Sequence, residues 1–401
     1  MVTSDLLHKK IGVWGYGISG RSLVKFLLAR NVELVVFDQR ELNQDDQDFL
    51  MSNSIVYDYQ EPLEFLNACD YVIPSPGIDL RKYAALASRF IAELDLFQHF
   101  FTHPIIAITG TLGKTTITTL LVQALRLSGK EVVVGGNIGV GLFDLIGQSC
   151  DVAVLEVSSF QLELCTTFAP DVALWTNFYP NHLDRHGSME RYREAKEKIF
   201  IHQKNRCLIG GMDWVFTGDY TIPEHGFKEN WKLVIALLEQ QGLSASEIER
   251  IVSVLGNQEG TLEHRLEKVS VVNGVEFIND SKATVPEASL AAVNLYNKKN
   301  MILLLGGLSK GVDRKYLVSQ LLDVKKIICF GQESDKLLAL CDEFGVNSQA
   351  CATLDKAFFY ACEVAQEGDT VLLSPSGSSF DLYKNYLERG EHFKKLVRAK
   401  K

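Results

Sequence analysis

The sequence predicts an α/β protein of three domains, each built on a largely parallel sheet. Three observations carry that prediction. A glycine-rich turn, Gly15-x-Gly17-x-x-Gly20, joins an apolar strand to a helix near the start of the chain. A second turn, Gly110-Thr111-Leu112-Gly113-Lys114-Thr115-Thr116, does the same further on. A third series of apolar strands, each running into a polar loop, fills the C-terminal part. Strand, turn and helix in that order form the unit from which parallel sheets are wound, because the returning segment covers one face of the sheet.

Taken in order, Lys9 to Trp14 reads as a buried strand, Arg21 to Arg30 as a helix and Val32 to Phe37 as a second strand ending at Asp38. Ser54 to Tyr57 and Tyr71 to Ile73 look strand-like, and the latter enters the loop Pro74-Ser75-Pro76-Gly77. Ile91 to Phe101 is expected to be helical. The second unit places strands at Ile105 to Thr109, Glu131 to Val134, Val152 to Glu156 and Val172 to Thr176, with helices to about Ser128 and at Met189 to Ile201. Cys207 to Glu224 reads as irregular; helices follow at Glu229 to Gln240 and Leu243 to Leu255, then a linker at Gly260 to Leu266. The third unit has strands at Val275 to Ile278, Met301 to Leu305, Lys326 to Phe330 and Thr370 to Leu373. The expected domains are 1–92, 93–261 and 262–401.

Composition narrows the function. The 401 residues are 46% hydrophobic and 23% charged, with a formal net charge of −9 and no long basic run, so a nucleic-acid backbone is not an expected partner. The eight cysteines form no Cys-x-x-Cys pair and read as small buried hydrophobes in a reducing compartment. Met1 to Lys10 lacks the apolar stretch of a signal peptide, and no run of about 18 apolar residues occurs. A cytoplasmic protein without membrane insertion is the expectation.

The turn Gly110 to Thr116 is a shortened phosphate loop: two residues separate its glycines where the usual pattern has four. Small residues let backbone amides approach phosphate, and the following helix start adds a favourable field. Gly110, Thr111, Gly113, Lys114, Thr115 and Thr116 are therefore expected at ATP, with Lys114 reaching the β- and γ-phosphates and the Thr115 hydroxyl available to magnesium. Glu156 ends an apolar strand and is a second candidate magnesium ligand. The first glycine turn, with Asp38 18 residues past Gly20, has the form of a dinucleotide fingerprint. By itself it establishes only a tight turn that suits a diphosphate, so NAD and other nucleotides remain open from these residues alone. His182 and Asp184 sit in the polar cluster Asn181 to His186. Three strand ends of the last unit, Asn279 to Thr284, Gly306 to Gly311 and Ser374 to Asp381, offer hydroxyls and lysines suited to an anionic substrate.

These motifs, in this order, resemble the Mur ligases of peptidoglycan synthesis, over nearly the whole chain. The stretches that carry the resemblance are Gly110 to Thr116, Gly135-Gly136-Asn137-Ile138-Gly139, Glu156 to Glu163, Asn181 to Gly187, His264-Arg265, Asn279 to Thr284 and Ser374 to Arg389. Ser158 to Glu163, Asp280 to Thr284 and Ser379-Phe380-Asp381 point to the member that adds D-glutamate. The resemblance implies a Rossmann-like N-terminal domain, a central ATPase-type parallel sheet and a Rossmann-like C-terminal domain. It implies an ATP-dependent ligase that activates a carboxylate as an acyl phosphate, with UDP-N-acetylmuramoyl-L-alanine and D-glutamate as its partners, and a monomer.

For individual residues the resemblance implies the following. Gly15, Ile18 and Ser19 would sit at the substrate diphosphate, with Asp38, Gln39 and Arg40 near uracil and the loop residues Ser75 and Gly77 also at the substrate. Asn137, Ser158 and Gln161 would touch the muramoyl-alanine part. Thr115 and Glu156 would support one magnesium ion, and His182 a second beside a carbamylated Lys196; Lys198 has no such match. Lys114, His182 and Lys196 would be catalytic. Asn230, Arg265 and Asp280 would contact ATP, and Lys282, Thr284, Lys310, Ser379 and Tyr386 would surround D-glutamate. Three departures stand out, one being that the central domain is trimmed between Cys207 and Glu224. The usual His-Asn-x-x-Asn stretch reads His225-Gly226-Phe227-Lys228-Glu229-Asn230, retaining only Asn230 in register beside the initial histidine, and the frequently acidic position before Ser309 is Leu308. A folylpolyglutamate-type synthetase or another Mur ligase, a nicotinamide oxidoreductase and a non-catalytic nucleotide-binding regulator are the rival readings; the folate class lacks an N-terminal glycine unit, and the oxidoreductase leaves the phosphate loop unused.

Overall fold

The computed structural model describes residues 8–57, 59–202, 206–210, 216–223, 228–256 and 263–400. The start of the N-terminal segment, His225 to Phe227 and the first part of the Gly260 to Leu266 linker lie outside them. The chain divides into two compact units: Met1–Phe178 with Glu190–Tyr220 and Glu229–Ile251, and Tyr179–Met189 with Thr221–Lys228 and Val252–Lys401.

The first unit contains two parallel sheets. Strands β1 (Lys10–Trp14), β2 (Glu33–Phe37) and β3 (Tyr71–Pro74) pair in the order β2-β1-β3. Strands β4 (Ile105–Thr109), β5 (Val132–Gly136), β6 (Val152–Glu156), β7 (Val172–Trp175) and β8 (Arg206–Ile209) pair in the order β5-β6-β4-β7-β8. Every residue of β4 and β6 is buried, as expected for central parallel strands covered on both faces. The two sheets share one continuous apolar core running from Ile11, Leu23 and Leu34 through Leu94 and Phe97 to Phe143, Leu155 and Ala173. The 3₁₀ turn Leu142–Leu145 packs on the helix Ile18–Leu28 and ties the glycine-turn helix to the second sheet.

The second unit contains one sheet of β9 (Glu267–Val272), β10 (Val275–Asn279), β11 (Met301–Gly306), β12 (Lys326–Phe330), β13 (Ser348–Cys351) and β14 (Thr370–Leu373), ordered β13-β12-β11-β14-β10-β9. Only β9 runs antiparallel. Both faces of this sheet carry apolar clusters, one around Leu303, Leu305 and Leu317, the other around Ile302, Leu304 and Phe358.

The structure corrects several sequence expectations. Ser54 to Tyr57 is no strand; it contributes a single bridge, Val35 to Val56. The stretch read as irregular after residue 206 opens with β8, and β9 and β13 were not foreseen. The seven described cysteines are free thiols, five of them buried.

Candidate active site

The ATP loop starts where β4 ends. The helix Lys114–Leu127 buries Thr116, Ile117, Leu120, Leu121, Ala124 and Leu125, which holds its first turn against the sheet. Gly110 has φ +137° and Gly113 φ +79°, conformations that side chains rarely adopt. The loop is pinned from β7: Thr111 N–H donates to Asn177 O (3.0 Å), Leu112 N–H donates to Asn177 Oδ1 (2.8 Å), and the Thr176 hydroxyl donates to Leu112 O. Thr111 Oγ1 also lies 3.2 Å from the Tyr192 hydroxyl. The first unit thus presents its phosphate loop at the carboxyl end of a central strand where the sheet order reverses, which is where open α/β sheets bind ligands.

Two lysines converge on this loop. Lys114 Nζ donates to Gly110 O (2.9 Å) and Thr111 O (3.0 Å). Lys196 Nζ donates to the same Gly110 O (2.8 Å), with Thr109 Oγ1 at 3.5 Å. Lys196 is only 1% exposed, and burial followed by repulsion from Lys114 pushes its amine well below the usual lysine range, against the pull of Glu156. Glu156 ends β6 fully buried. Its Oε1 accepts from Asn137 Nδ2 (2.8 Å), while its Oε2 has no hydrogen-bond partner among the described residues. A buried carboxylate oxygen without a partner, beside a phosphate loop and the half-buried Thr115, is a donor set that fits magnesium. Buried Asn230 stands against the helix start, where a side chain at Gly113 would meet its Oδ1 at 2.7 Å.

The same unit carries a cleft of about 290 Å³ whose lining includes Ile18, Ser19, Ser75, Asn137, Ile138 and Gln161. It links the first glycine turn to the loops after β5 and β6. Gly15 (φ +97°) does not line it but packs against Ser75, whose hydroxyl donates to Gly15 O (3.2 Å) and whose Oγ would lie 2.5 Å from any Cβ at Gly15. Gln161 is aimed by a capping box: Ser158 Oγ accepts from Gln161 N–H (3.2 Å), and Gln161 Oε1 accepts from Ser158 N–H (3.0 Å). The Ser158 hydroxyl also lies 3.1 Å from Gln161 Oε1, so this residue orients Gln161. Gly77 is exposed and does not line the cleft. A second cavity of about 560 Å³ is lined by Asp38, Gln39, Arg40, Gln47 and Tyr59 among others. Asp38 is held by Tyr16 N–H (2.8 Å) and by Arg40 through its backbone N–H (2.9 Å) and guanidinium (2.9 Å). Although burial opposes it, these hydrogen bonds keep the Asp38 carboxyl below its ordinary range.

In the second unit, the loops after β10, β14 and β11 lie side by side because those strands are neighbours. Asp280 is buried and accepts from Ser374 Oγ (2.8 Å); burial nonetheless raises its carboxyl to about 7. Lys282 Nζ donates to the Tyr386 hydroxyl (2.7 Å) and stands 4.1 Å from its ring centre. Ser379 is buried, Thr284 and Arg265 are half-buried, and Lys310, with φ +53°, has its amine lowered by burial against the pull of Asp184. His182, also left-handed at φ +54°, opens the short helix Leu183–His186.

Three residues of this unit were given no role by sequence reasoning. Arg389 is 0% exposed; its Nε donates to Ser281 Oγ (3.0 Å), its Nη1 to Gly377 O (3.0 Å) and its Nη2 to Ser281 O (2.8 Å). It ties the loop after β10 to the loop after β14. Glu333 accepts from Ser309 N–H (2.9 Å), supplying an acid where position 308 carries leucine. Arg314, buried, donates to Gly307 O (2.8 Å).

With this geometry in place, comparison with known proteins is decisive. Residues 10–82 match the MurD N-terminal domain, 108–217 the Mur ligase middle domain and 264–377 the Mur ligase glutamate ligase domain. The chain is 34% identical to a UDP-N-acetylmuramoylalanine–D-glutamate ligase of Desulfotalea psychrophila, over 97% of this chain and 96% of that one. The chain belongs to the Mur ligase family. The namesake enzyme of Thermoanaerobacter pseudethanolicus is 32% identical, covering 98% and 99% of the two chains. Among solved structures, this Mur ligase superposes on a pseudomurein peptide ligase type C from Methanothermus fervidus with TM-score 0.60 and 17% identity, over 98% of this chain and 100% of that one, a likeness of fold. This Mur ligase is an ATP-dependent amide-forming enzyme with the expected α/β architecture. No helix among the described residues is long and apolar enough to cross a membrane.

Proposed function

We propose that this Mur ligase joins D-glutamate to UDP-N-acetylmuramoyl-L-alanine in the cytoplasm, as a monomer, with ATP converted to ADP and phosphate. The observation that carries the reading is the cleft lined by Ile18, Ser19, Asn137 and Gln161, in the unit that also holds the phosphate loop. A nicotinamide cofactor would give the first glycine turn a role but leave Lys114 and Glu156 without one. A UDP-sugar substrate uses both: its diphosphate at Gly15, Ile18 and Ser19, its uracil in the cavity of Asp38, Gln39 and Arg40, and its alanine carboxylate directed past Asn137 and Gln161.

In the first step a carboxylate oxygen bonds to the γ-phosphorus of ATP and the bond to ADP breaks. In the second, the amine of D-glutamate attacks the acyl carbon, the bond to phosphate breaks, and the amine proton is lost. Lys114 and the loop amides orient the triphosphate. Thr115 and Glu156 would hold one magnesium ion, with His182 and a carbamylated Lys196 at a second; such ions offset repulsion between substrate carboxylate and triphosphate. Carbamylation needs a neutral amine to attack carbon dioxide, and the lowered amine of Lys196 supplies one. Arg265, Asp280 and Asn230 are assigned to ATP, and Lys282, Thr284, Lys310, Ser379 and Tyr386 to D-glutamate. On this reading the chain divides into domains 1–92, 93–261 and 262–401, the UDP-substrate drawing on the first two, ATP on the last two and D-glutamate on the third.

The test is phosphate release with UDP-N-acetylmuramoyl-L-alanine and D-glutamate, set against L-glutamate and D-lysine. Release only with D-glutamate is expected. Equal release with either alternative acceptor would overturn the acceptor assignment. Wild-type turnover in Lys114→Ala would overturn the role of the loop.

A further inference from the structure

The loop that leaves β14 carries Ser379 and leads into the helix Tyr386–Ala399, so two of the groups assigned to D-glutamate, Ser379 and Tyr386, depend on its path. Near its start, Gly377 O accepts from Arg389 (3.0 Å). In its middle, Asp381 Oδ2 accepts from Gln332 N–H (3.1 Å). Toward its end, the Tyr383 hydroxyl lies 2.8 Å from His392 Nδ1, and His392 Nε2 lies 3.2 Å from Asp355 Oδ1. This last connection runs from phenol through imidazole to carboxylate. None of its three residues belongs to the groups assigned above to ATP or D-glutamate.

Tyr383 N–H donates to Ser379 O (2.8 Å), as does Leu382 N–H (3.2 Å), so residues 379–383 close a single turn. Ser379 is the first residue of that turn. Phe380, the second, is 64% exposed, and Lys310 Nζ stands 5.7 Å from its ring centre. Tyr383 is the last, and its ring packs on the apolar cluster around Ile302, Leu304 and Phe358. Packing holds the ring, while the bond to His392 adds direction, since hydrogen bonds weaken steeply off their axis. An ionised Asp355 can only accept, so the proton of a neutral imidazole stands on Nε2 and leaves Nδ1 to accept from the phenol. Burial, then the charge of Asp355, pushes the Tyr383 phenol up, so it keeps the proton it donates. Asp355 lies in the first turn of the helix Leu354–Val364, which packs on the helix bearing His392. The far end of the relay is therefore anchored in helix packing. The His392 and Asp355 side chains are 32% and 46% exposed, so this pair adds little to stability; its consequence is geometric.

We propose, resting on the D-glutamate reading, that Tyr383, His392 and Asp355 are positioning residues for the acceptor site: together they hold the turn that carries Ser379 in register with Lys310, so that D-glutamate meets a preformed site. Without the relay the turn samples other placements, and the amino acid binds only the correctly placed fraction. Saturating amino acid restores the arrangement, so affinity falls while the chemical step does not.

The test is phosphate release by the full chain, with each substrate varied in turn. Tyr383→Phe keeps the packed ring and loses the hydroxyl. It should raise the KM for D-glutamate by about 2- to 10-fold, the range one hydrogen bond supplies, with kcat within about twofold of wild type. The KM values for ATP and UDP-N-acetylmuramoyl-L-alanine should not change. His392→Ala should raise the same KM by a similar factor, and the double variant by no more than the larger single effect, because either loss breaks one chain. An unchanged KM for D-glutamate in folded Tyr383→Phe overturns the proposal. Equal rises in all three KM values, the mark of a general loosening, overturn it too, as does full additivity in the double variant. If Tyr383→Phe does not fold, Asp355→Ala, at an exposed side chain, decides: a selective rise in the KM for D-glutamate supports the relay, and no rise overturns it. Wild-type protein that releases no phosphate with D-glutamate removes the acceptor reading itself, a result distinct from an unchanged KM.

Discussion

Replacing Gly110 by alanine tests the architecture of the ATP loop at its narrowest point. Gly110 adopts φ +137°, and a Cβ there would fall on Thr176 Oγ1 and lie 3.0 Å from both Thr176 Cβ and its backbone nitrogen. The backbone conformation alone costs an L-residue about 1–3 kcal/mol, and forcing a methyl into a filled space about 1–3 more. The sum, about 2–6 kcal/mol, is a large part of the 5–15 kcal/mol that typically holds a domain folded. Thr176 cannot simply swing away, because its hydroxyl is bonded to Leu112 O within the loop. Gly129→Ala is the control: φ is +87° but nothing lies within 4 Å of its Cβ, so about 1–2 kcal/mol of backbone strain is the whole expected effect. Urea denaturation with ATP-dependent turnover measured in parallel reads both. Gly110→Ala should lose the larger stability and nearly all turnover, and Thr176→Ala in the same chain should return part of the stability without restoring turnover. Equal midpoints for Gly110→Ala and Gly129→Ala, with turnover retained in both, would refute the reasoning.

Three further outcomes follow from buried ionisable groups. Lys196→Ala should lose turnover that high bicarbonate does not restore, measured by phosphate release; near-wild-type turnover would sink the carbamate assignment. Glu93 is raised from 4.5 to about 7, so its contribution to stability is fully present below pH 4.5 and is lost as pH rises toward 7, because the unfolded chain releases its proton first; Glu93→Gln should therefore be more stable than wild type by up to about 3 kcal/mol at pH 8 and no more stable at pH 4.5, read from melts at both pH values. Arg389→Lys keeps a charge but not the fork that reaches Ser281 and Gly377, and should cost about 2–4 kcal/mol in chemical denaturation while raising the KM for D-glutamate.

What the sequence made legible was what chemistry restricts to few residue types. A phosphate loop needs glycine, lysine and threonine at fixed spacing, and Lys114 and Thr115 stand at the start of the helix that follows β4. Glu156 could be placed because an apolar run, Val152 to Leu155, ends on it. Elements set by tertiary pairing were harder to read. The β8 strand is a four-residue edge, β9 is half exposed and alternates imperfectly, and β13 reads Ser-Gln-Ala-Cys, so none carries the apolar run of a central strand. Ser54 to Tyr57 has that look but is long enough for only one bridge. Arg389 and Glu93 lie on amphipathic helices where a charge ordinarily marks the solvent face. Only the fold turns the first between two strand-end loops and the second into the interior. Gly77 was expected at the cleft on the strength of its loop, yet only Ser75 and Pro76 of that loop line it.

The two lysines on Gly110 O are the most informative local conflict in the first unit. Two ammonium groups sharing one carbonyl repel each other, and each is drawn there by the same acceptor. Lys114 is half-buried and retains access to water, whereas Lys196 is sealed in, so the cost of a second charge falls on Lys196, and its amine is the one depressed. On the proposed reading, both tensions end together. Conversion of the Lys196 amine to a carbamate replaces repulsion toward Lys114 by attraction, and a triphosphate in the loop draws Lys114 off the carbonyl. A lysine kept only for packing would gain nothing from that exchange: Lys196→Met would fill the same space without the repulsion and should be at least as stable as wild type. If Lys196→Met melts well below wild type, the amine is a structural donor to Gly110, and the account of it as a group held ready for modification fails.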